Sequence, residues 1–288
     1  MTVTEALTPI SVVIPVKNEA RNIQRCLEEL SGWASEIVVV DSQSQDGTEV
    51  AAKSLGARVV QFHYKDGWPK KRQWALSTLE FKNEWILLLD ADEILGDSIK
   101  REIAVALQAP GYDGYWLRYR IVFLGRQLRW GGTELWKLSL FRRGKGSFEV
   151  RLLDQDSSMG DIEVHEHVVV DGTVGRLKHP VRHENVNSLD RYIEKHNQYS
   201  NWEARVQVGP KTGAITGRLF GNQAERRRHL KRLFLNVPGS PLWFFLFKYV
   251  CQLGCLDGIA GLTYAAFQSI QVFHVKAKIY EWQLRYAK

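Results

Sequence analysis

Four short, almost unbroken apolar runs in the first 90 residues constrain the fold more than any other feature of the chain. They are Ile10-Ser11-Val12-Val13-Ile14-Pro15-Val16, Glu36-Ile37-Val38-Val39-Val40-Asp41, Ala57 to Phe62, and Trp85-Ile86-Leu87-Leu88-Leu89-Asp90. Helical patterns separate them. Asn22 to Leu30 repeats apolar residues at Ile23, Cys26, Leu27 and Leu30, a second helix follows the turn Asp46-Gly47-Thr48 and ends near Gly56, and a third runs from Pro69 to Thr78. A strand apolar on both faces has to be covered on both faces, and strands joined through helices run parallel. The expected fold is α/β, with a Rossmann-like, mostly parallel sheet and helices on both faces. In such sheets ligands bind beyond the carboxyl ends of the strands. That rule puts Pro15 to Glu19, Asp41 and Asp90 to Glu93 on one edge.

From Tyr112 to Val170 the pattern becomes shorter, with many aromatic residues and glycines, as expected of an antiparallel extension, and Ser188 to Arg205 reads as a helix. Residues 1–208 are expected to form the body and residues 209–288 a helical tail. With 288 residues the chain is long enough to build its core without staples, and three cysteines are too few and odd in number for an oxidised scaffold, which points to a reducing compartment. No signal-peptide pattern opens the sequence, so cytoplasmic residence is expected.

The net charge of +7 is unevenly placed. Residues 209–288 hold 12 Lys and Arg against 3 Asp and Glu, a surplus of 9, so the preceding residues carry a deficit of 2. A near-neutral body with a basic, aromatic-rich tail fits an anionic membrane surface rather than nucleic acid. Arg218 to Leu235 has the pattern of a basic amphipathic helix. Two apolar stretches follow, Leu242 to Phe247 and Gly258 to Val275, the second too polar at Gln268, Ser269, Gln271 and His274 to be a clear span. The expectation is helices lying in the membrane interface at the inner face of the cell membrane; the alternative is a helical subdomain packed on the body.

Asp90 and Asp92 carry the strongest chemical signal. In extended chain, residues two apart point the same way, so both carboxylates would meet at one point beyond the sheet edge, where Mg²⁺ or Mn²⁺ with a phosphate would fit. Asp41, at another strand end, is placed to accept from a base N–H or a ribose hydroxyl. Asp46-Gly47-Thr48 has the composition of a turn and a helix cap.

Taken together, Val13-Ile14-Pro15-Val16-Lys17-Asn18-Glu19, Val39-Val40-Asp41-Ser42 with Ser44 and Asp46-Gly47-Thr48, and Leu88-Leu89-Asp90-Ala91-Asp92-Glu93 resemble the family-2 glycosyltransferases, inverting enzymes with a GT-A fold that use nucleotide-activated sugars. Within that family the chain is most similar to the lipopolysaccharide-core β-1,4-glucosyltransferase type, through Leu140-Phe141-Arg142-Arg143, Val164-His165-Glu166, and Leu256-Asp257-Gly258 with Gly261-Leu262. The resemblance implies that Pro15, Asn18, Glu19 and Asp41 line the nucleotide pocket, with Asp41 reading the base. It further implies that Asp90 lies near ribose and metal, that Asp92 binds the cation bridging the donor diphosphate, and that Lys70, Lys71 and Arg72 lie near the phosphates. Glu166 matches the position of the catalytic base; its other reading is a strand carboxylate paired with a cation. Gln43 and Gln45 replace the family's usual Gly and Thr, and Gln73 stands where Asn is common.

Five of the eight histidines fall between His165 and His196, but no Cys lies close and no His-Glu-x-x-His motif occurs, so a structural zinc site is not expected. His183 is open to a divalent-metal shell, a phosphate or a hydrogen-bonded loop. Trp116, Tyr119, Arg126, Trp130 and Trp136 read equally as an acceptor platform or as core. Gln127-Leu128-Arg129-Trp130 is one residue short of the Gln-x-x-Arg-Trp motif of processive synthases. The expected activity is transfer of one sugar from a UDP-linked donor such as UDP-glucose to a membrane-borne saccharide or glycolipid such as lipopolysaccharide core. The alternatives are a polyprenyl-phosphate glycosyltransferase and a non-catalytic sugar-nucleotide-binding membrane protein.

Overall fold

The computed structural model describes residues 6–153, 155–161, 163, 166–184, 188–209, 231 and 233–286. Strands β1 (Thr8–Val16), β2 (Ala34–Asp41), β3 (Arg58–Gln61) and β4 (Trp85–Leu88) coincide with the four apolar runs. They stand side by side in the order β3-β2-β1-β4, all parallel. Helices α1 (Ala20–Leu30), α2 (Thr48–Ser54) and α3 (Lys71–Thr78) connect them. Alternation along β1 divides the core as a doubly covered sheet requires. Val12, Ile14 and Val16 pack with Ile23, Leu27 and Leu30 of α1 and with Ile99 and Ile103 of α4 (Asp97–Ala106). On the opposite face Val13 packs with Ala75 of α3, Ile86 and Leu88.

The sheet continues past β4 through β8 (Glu134–Arg142), β6 (Gly114–Phe123), β11 (Val174–Glu184) and β5 (Glu93–Ile94). β8 is antiparallel to both β4 and β6, and β6 also holds the short β7 (Arg126–Gln127). β9 (Gly146–Phe148) and β10 (Val168–Val170) form a separate antiparallel pair. The extension is therefore antiparallel over the expected range, and β11 then joins β6 in parallel. β11 has no readable strand pattern because Arg176, Lys178, His179, Pro180, Arg182, His183 and Glu184 crowd its sequence; only Leu177 and Val181 reach the core.

α5 (Leu189–Val208) confirms the helix expected from Ser188, whose hydroxyl accepts from the Arg191 amide as its N-cap. In the tail, α6 (Ser240–Leu246) leads through a π turn (Phe247–Cys251) and a 3₁₀ turn (Gly254–Asp257) into α7 (Gly258–Tyr286). Most of the basic amphipathic segment Arg218 to Leu235, including Arg226, Arg227, Arg228 and Arg232, lies outside the described residues. α7 packs on the body: Tyr264 and Phe267 meet Phe123 and Tyr192 edge to face, and the Lys278 Nζ donates to Asn197, Ser200 and Asn201 of α5. Among the described residues no single helix is long and apolar enough to cross a membrane, although α6 and α7, bent 72° apart, pass that test as a pair.

Candidate active site

The site is built where the parallel strands end. At the end of β1 the Val16 carbonyl accepts from the Ser42 amide (3.1 Å) and from Nζ of the buried Lys71 (2.7 Å), which also faces Asp161 at 3.2 Å. Pro15, one residue before that end, lies opposite Val40. Asn18 turns the chain with φ 55°, its amide donating to Ser44 Oγ (2.8 Å) while its side-chain carbonyl accepts from the Gln45 amide (2.9 Å). Asp41, fully buried at the end of β2, accepts from the Ser44 amide and hydroxyl and from Gln61 Nε2. Asp46 accepts from the Thr48 amide at the start of α2, as its turn-and-cap composition implies, and also from the Ala20 amide at the start of α1.

Beyond β4 the structure corrects the geometry expected of Asp90 and Asp92. The strand stops at Leu88, and Asp90 to Glu93 form a turn closed by the Glu93 amide on the Asp90 carbonyl (2.9 Å), so the two side chains are not neighbours along an extended chain. They take different partners. Asp90 pairs with Arg72 and, at 3.4 Å, with Lys137 Nζ, which also holds Glu93 at 2.5 Å. Asp92 faces His183 of β11, Oδ2 to Nε2 at 3.4 Å. Burial alone would raise the Asp90 carboxyl, but Arg72, Lys137 and His183 hold it well below the ordinary carboxylate range. Burial opposes the charge on Asp92 and His183 too, yet their mutual attraction lowers the acid and raises the imidazole.

Of the basic run at α3, Arg72 alone reaches Asp90. Its amide and that of Gln73 donate to the buried Glu163 carboxylate (3.0 and 2.8 Å), and the Lys71 amide donates to the Asp161 carbonyl (3.1 Å), so Glu163 and Asp161 cap the helix start. Gln73 spends its own carbonyl on the Phe148 amide of β9 (2.8 Å), a structural use for that departure from the family pattern. Lys70 is buried with Nζ 3.4 Å from the Met159 carbonyl; burial pulls its ammonium down against the raising influence of Glu166 and Glu163.

Glu166 lies in this second cluster. It is buried, and its Oε1 accepts from Trp202 Nε1 (2.9 Å) and Gln155 Nε2 (3.3 Å). α5 ties the two clusters together from one face: Arg191 donates to the Asn18 carbonyl (2.6 Å), Lys195 pairs with Glu19 (3.0 Å), and Trp202 holds Glu166. Tyr199, between them on the helix, is close enough to Asp90 and Asp92 for their charge to raise its phenol further above what burial does. Lys137, Glu163, Lys195 and Tyr199 were not visible as site residues in the sequence, because Lys137 stands on β8, whose place beside β4 the sequence does not give, Glu163 on an irregular segment, and the last two on a helix whose packing partner the sequence does not name. The expected aromatic platform divides: Tyr119 is core, its hydroxyl on Ser139 Oγ (3.0 Å) and its ring under Lys137, whereas Trp130 is partly exposed.

Asp92 and His183, with Oδ2 and Nε2 3.4 Å apart, are the residues that could hold a divalent cation: the carboxylate is the oxygen donor that Mg²⁺ or Mn²⁺ takes, and the imidazole adds a nitrogen once it is neutral. Among the described residues no group of three or more His, Cys, Asp or Glu is arranged to hold a metal unaided, so phosphate oxygens would have to complete such a shell.

The family described as "Glycosyl transferase family 2" matches residues 11–168, which contain the ends of the four parallel strands and Arg72, Lys137 and Glu166, but not His183 or α5. A lipopolysaccharide core biosynthesis glycosyltransferase, LpsC of Rhizobium meliloti, is 29% identical over 95% of this chain and 92% of its own length. An uncharacterized glycosyltransferase of Rickettsia typhi is 27% identical over 96% and 88%. Among solved structures, glucosyl-3-phosphoglycerate synthase from Mycobacterium tuberculosis, in complex with Mn²⁺, UDP and phosphoglyceric acid, superposes in part: 16% identity, 74% of this chain and 83% of that one, TM-score 0.41. Its complex with Mg²⁺ and UDP matches over 42% of this chain and 46% of that one, with a TM-score of 0.31. With the family pattern spanning more than half of the sequence, the chain belongs to glycosyl transferase family 2.

Proposed function

We propose that this glycosyltransferase moves one sugar, with inversion, from a UDP-linked donor such as UDP-glucose to a lipid-borne, phosphorylated saccharide of the lipopolysaccharide-core kind, at the inner face of the cell membrane. The observation that carries the reading is the Asp92–His183 pair set beside Asp90, Arg72 and Lys137 at the carboxyl edge of the parallel strands. The name of the Rhizobium meliloti relative supports the acceptor class.

Pro15, Asn18, Glu19 and Asp41 form the wall against which the nucleotide lies, with Asp41 holding the 42–46 loop through Ser44 while keeping a carboxylate at the base position. Asp92 and His183 would hold Mg²⁺ or Mn²⁺, which supplies charge compensation for the departing nucleoside diphosphate. Asp90 sits at the ribose side and keeps Arg72 and Lys137 aimed at the same place, so the negative donor meets cations already fixed in position. Lys71 contributes by fixing the end of β1 rather than through an exposed ammonium.

In the transfer the acceptor hydroxyl oxygen attacks the anomeric carbon from the face opposite the diphosphate. The carbon–oxygen bond to phosphate breaks, its electron pair leaves with the nucleoside diphosphate, and the hydroxyl proton passes to Glu166. Trp202 and Gln155 fix that carboxylate through Oε1. The experiment is a panel of UDP- and GDP-sugars with a phosphorylated glycolipid acceptor, read as nucleoside diphosphate release with and without Mn²⁺. Acceptor-stimulated release from a UDP-sugar is expected; release confined to GDP-sugars, or none beyond the protein-free control, overturns the donor assignment.

A further inference from the structure

Exposed apolar side chains run along the tail from Leu233 to Leu284, and one group of them lies at the elbow between α6 and α7. Val250, Leu253, Leu256 and Ile259 occupy it, Leu256 with 54% and Ile259 with 81% of its surface exposed. A body loop is fixed to this elbow. The Asp257 carboxylate turns inward and accepts from the Arg129 and Trp130 amides (3.0 and 2.9 Å), the Gly131 amide donates to the Gln252 carbonyl (2.8 Å), and Lys248 Nζ donates to the Gly131 carbonyl (3.0 Å). Trp130, 42% exposed, thereby joins the same region.

The charges there are of one sign. Between residues 121 and 133, and between 247 and 262, Asp257 is the sole carboxylate, and it is buried beneath its amide donors; Arg126, Arg129 and Lys248 are the cations. An apolar tip with an adjacent Trp and a cationic margin has the composition of a surface that enters the headgroup boundary of an anionic bilayer. We propose that the elbow is the membrane-docking surface of the enzyme, with Leu253, Leu256, Ile259 and Trp130 entering the interface and Arg126 and Arg129 meeting lipid phosphates. This rests on the reading that the acceptor is lipid-borne. Because β6 leads into the docking loop and pairs with β8, which carries Lys137, and with β11, which carries His183, one sheet joins the docked surface to the catalytic edge.

The native thiols test it in the full chain. Cys251 and Cys255 are exposed on the elbow, whereas Cys26 is buried, its thiol pushed up by burial and by Glu93 and Asp92. Labelling by a charged maleimide is expected to slow about tenfold or more when phosphatidylcholine vesicles containing phosphatidylglycerol are added, but not with phosphatidylcholine alone. Co-sedimentation of a Leu256→Asp, Ile259→Asp double variant with the anionic vesicles is expected to fall at least about tenfold with its melting unchanged, since both sites are solvent-facing. If the wild type co-sediments while its thiols label at the free rate, the elbow is not the docking surface but the membrane reading survives. If it does not co-sediment at all, both fail. Protection that grows with protein concentration in the absence of vesicles shows that a second copy of the chain covers the elbow, and overturns the proposal.

Discussion

Asp257 makes a sharp quantitative test of how the tail is held. It is 2% exposed, and its two oxygens take the amides of Arg129 and Trp130, which have no ladder partner in β7. Replacing it with Ala leaves two part-buried N–H groups unpaired, each costing about 1 kcal/mol or more, for a total of about 2 kcal/mol. In a chain of this size that lowers Tm by about 4–8 °C. Asp257→Asn keeps one acceptor oxygen and loses only the charge assistance, so it should cost roughly half as much. Thermal unfolding measures the ordering Ala below Asn below wild type, and amide hydrogen exchange locates the effect: Arg129 and Trp130 should lose protection while the β1 and β2 amides keep theirs. A Tm within about 1 °C of wild type for Asp257→Ala, with protection at 129 and 130 intact, would falsify the latch.

Three further outcomes follow from particular residues. Gln43 occupies the left-handed region at φ 57°, which a side chain disfavours, so Gln43→Gly should raise stability by about 0.5–1 kcal/mol in urea titration despite its entropic cost; a loss shows that the Gln61 bond to the Gln43 amide depends on the side chain. His196 stacks on Tyr192, and burial, with His274 of α7 and Lys195 opposing its charge, lowers it from 6.5 to about 4 against the raising influence of Gln271. The unfolded chain therefore binds the extra proton, and stability present above pH 6.5 should fall by about 3 kcal/mol as pH drops through 4, a decline that His196→Phe flattens and that is absent if the site titrates normally. Glu166→Gln should lower kcat at least about 10²-fold with UDP affinity unchanged, and comparable turnover would remove it from the base role.

The parallel half of the fold was legible because each of its strands is apolar on both faces, and sequence pattern reports burial directly. Leu89 and Asp90 show where that reasoning stops. The carboxylates arrive at the right edge, yet a turn rather than an extended chain presents them, since local hydrogen bonding of Glu93 decides the backbone there. β11 was not legible because His183 and its charged neighbours answer to partners on β5, β6 and the 90–93 turn, none of them nearby in sequence. The α5 face is the same case. Arg191, Lys195, Tyr199 and Trp202 recur at helical spacing, but only packing across the strand ends shows that this mixed face is the inward one. Asp257 stood out in the sequence as part of a family signature, and its use is structural: it holds the tail to the loop that bears Trp130.

The central claim, that the strand-edge cluster built on Asp92 and His183 holds a nucleotide diphosphate through a divalent cation, is tested most directly by calorimetric titration of UDP into the full chain, with Mn²⁺ and with chelator. The account predicts binding that requires the cation and weakens at least about tenfold in Asp92→Ala, measured below that variant's own melting temperature. Equal UDP affinity in chelator, or in Asp92→Ala with Mn²⁺ present, would contradict it.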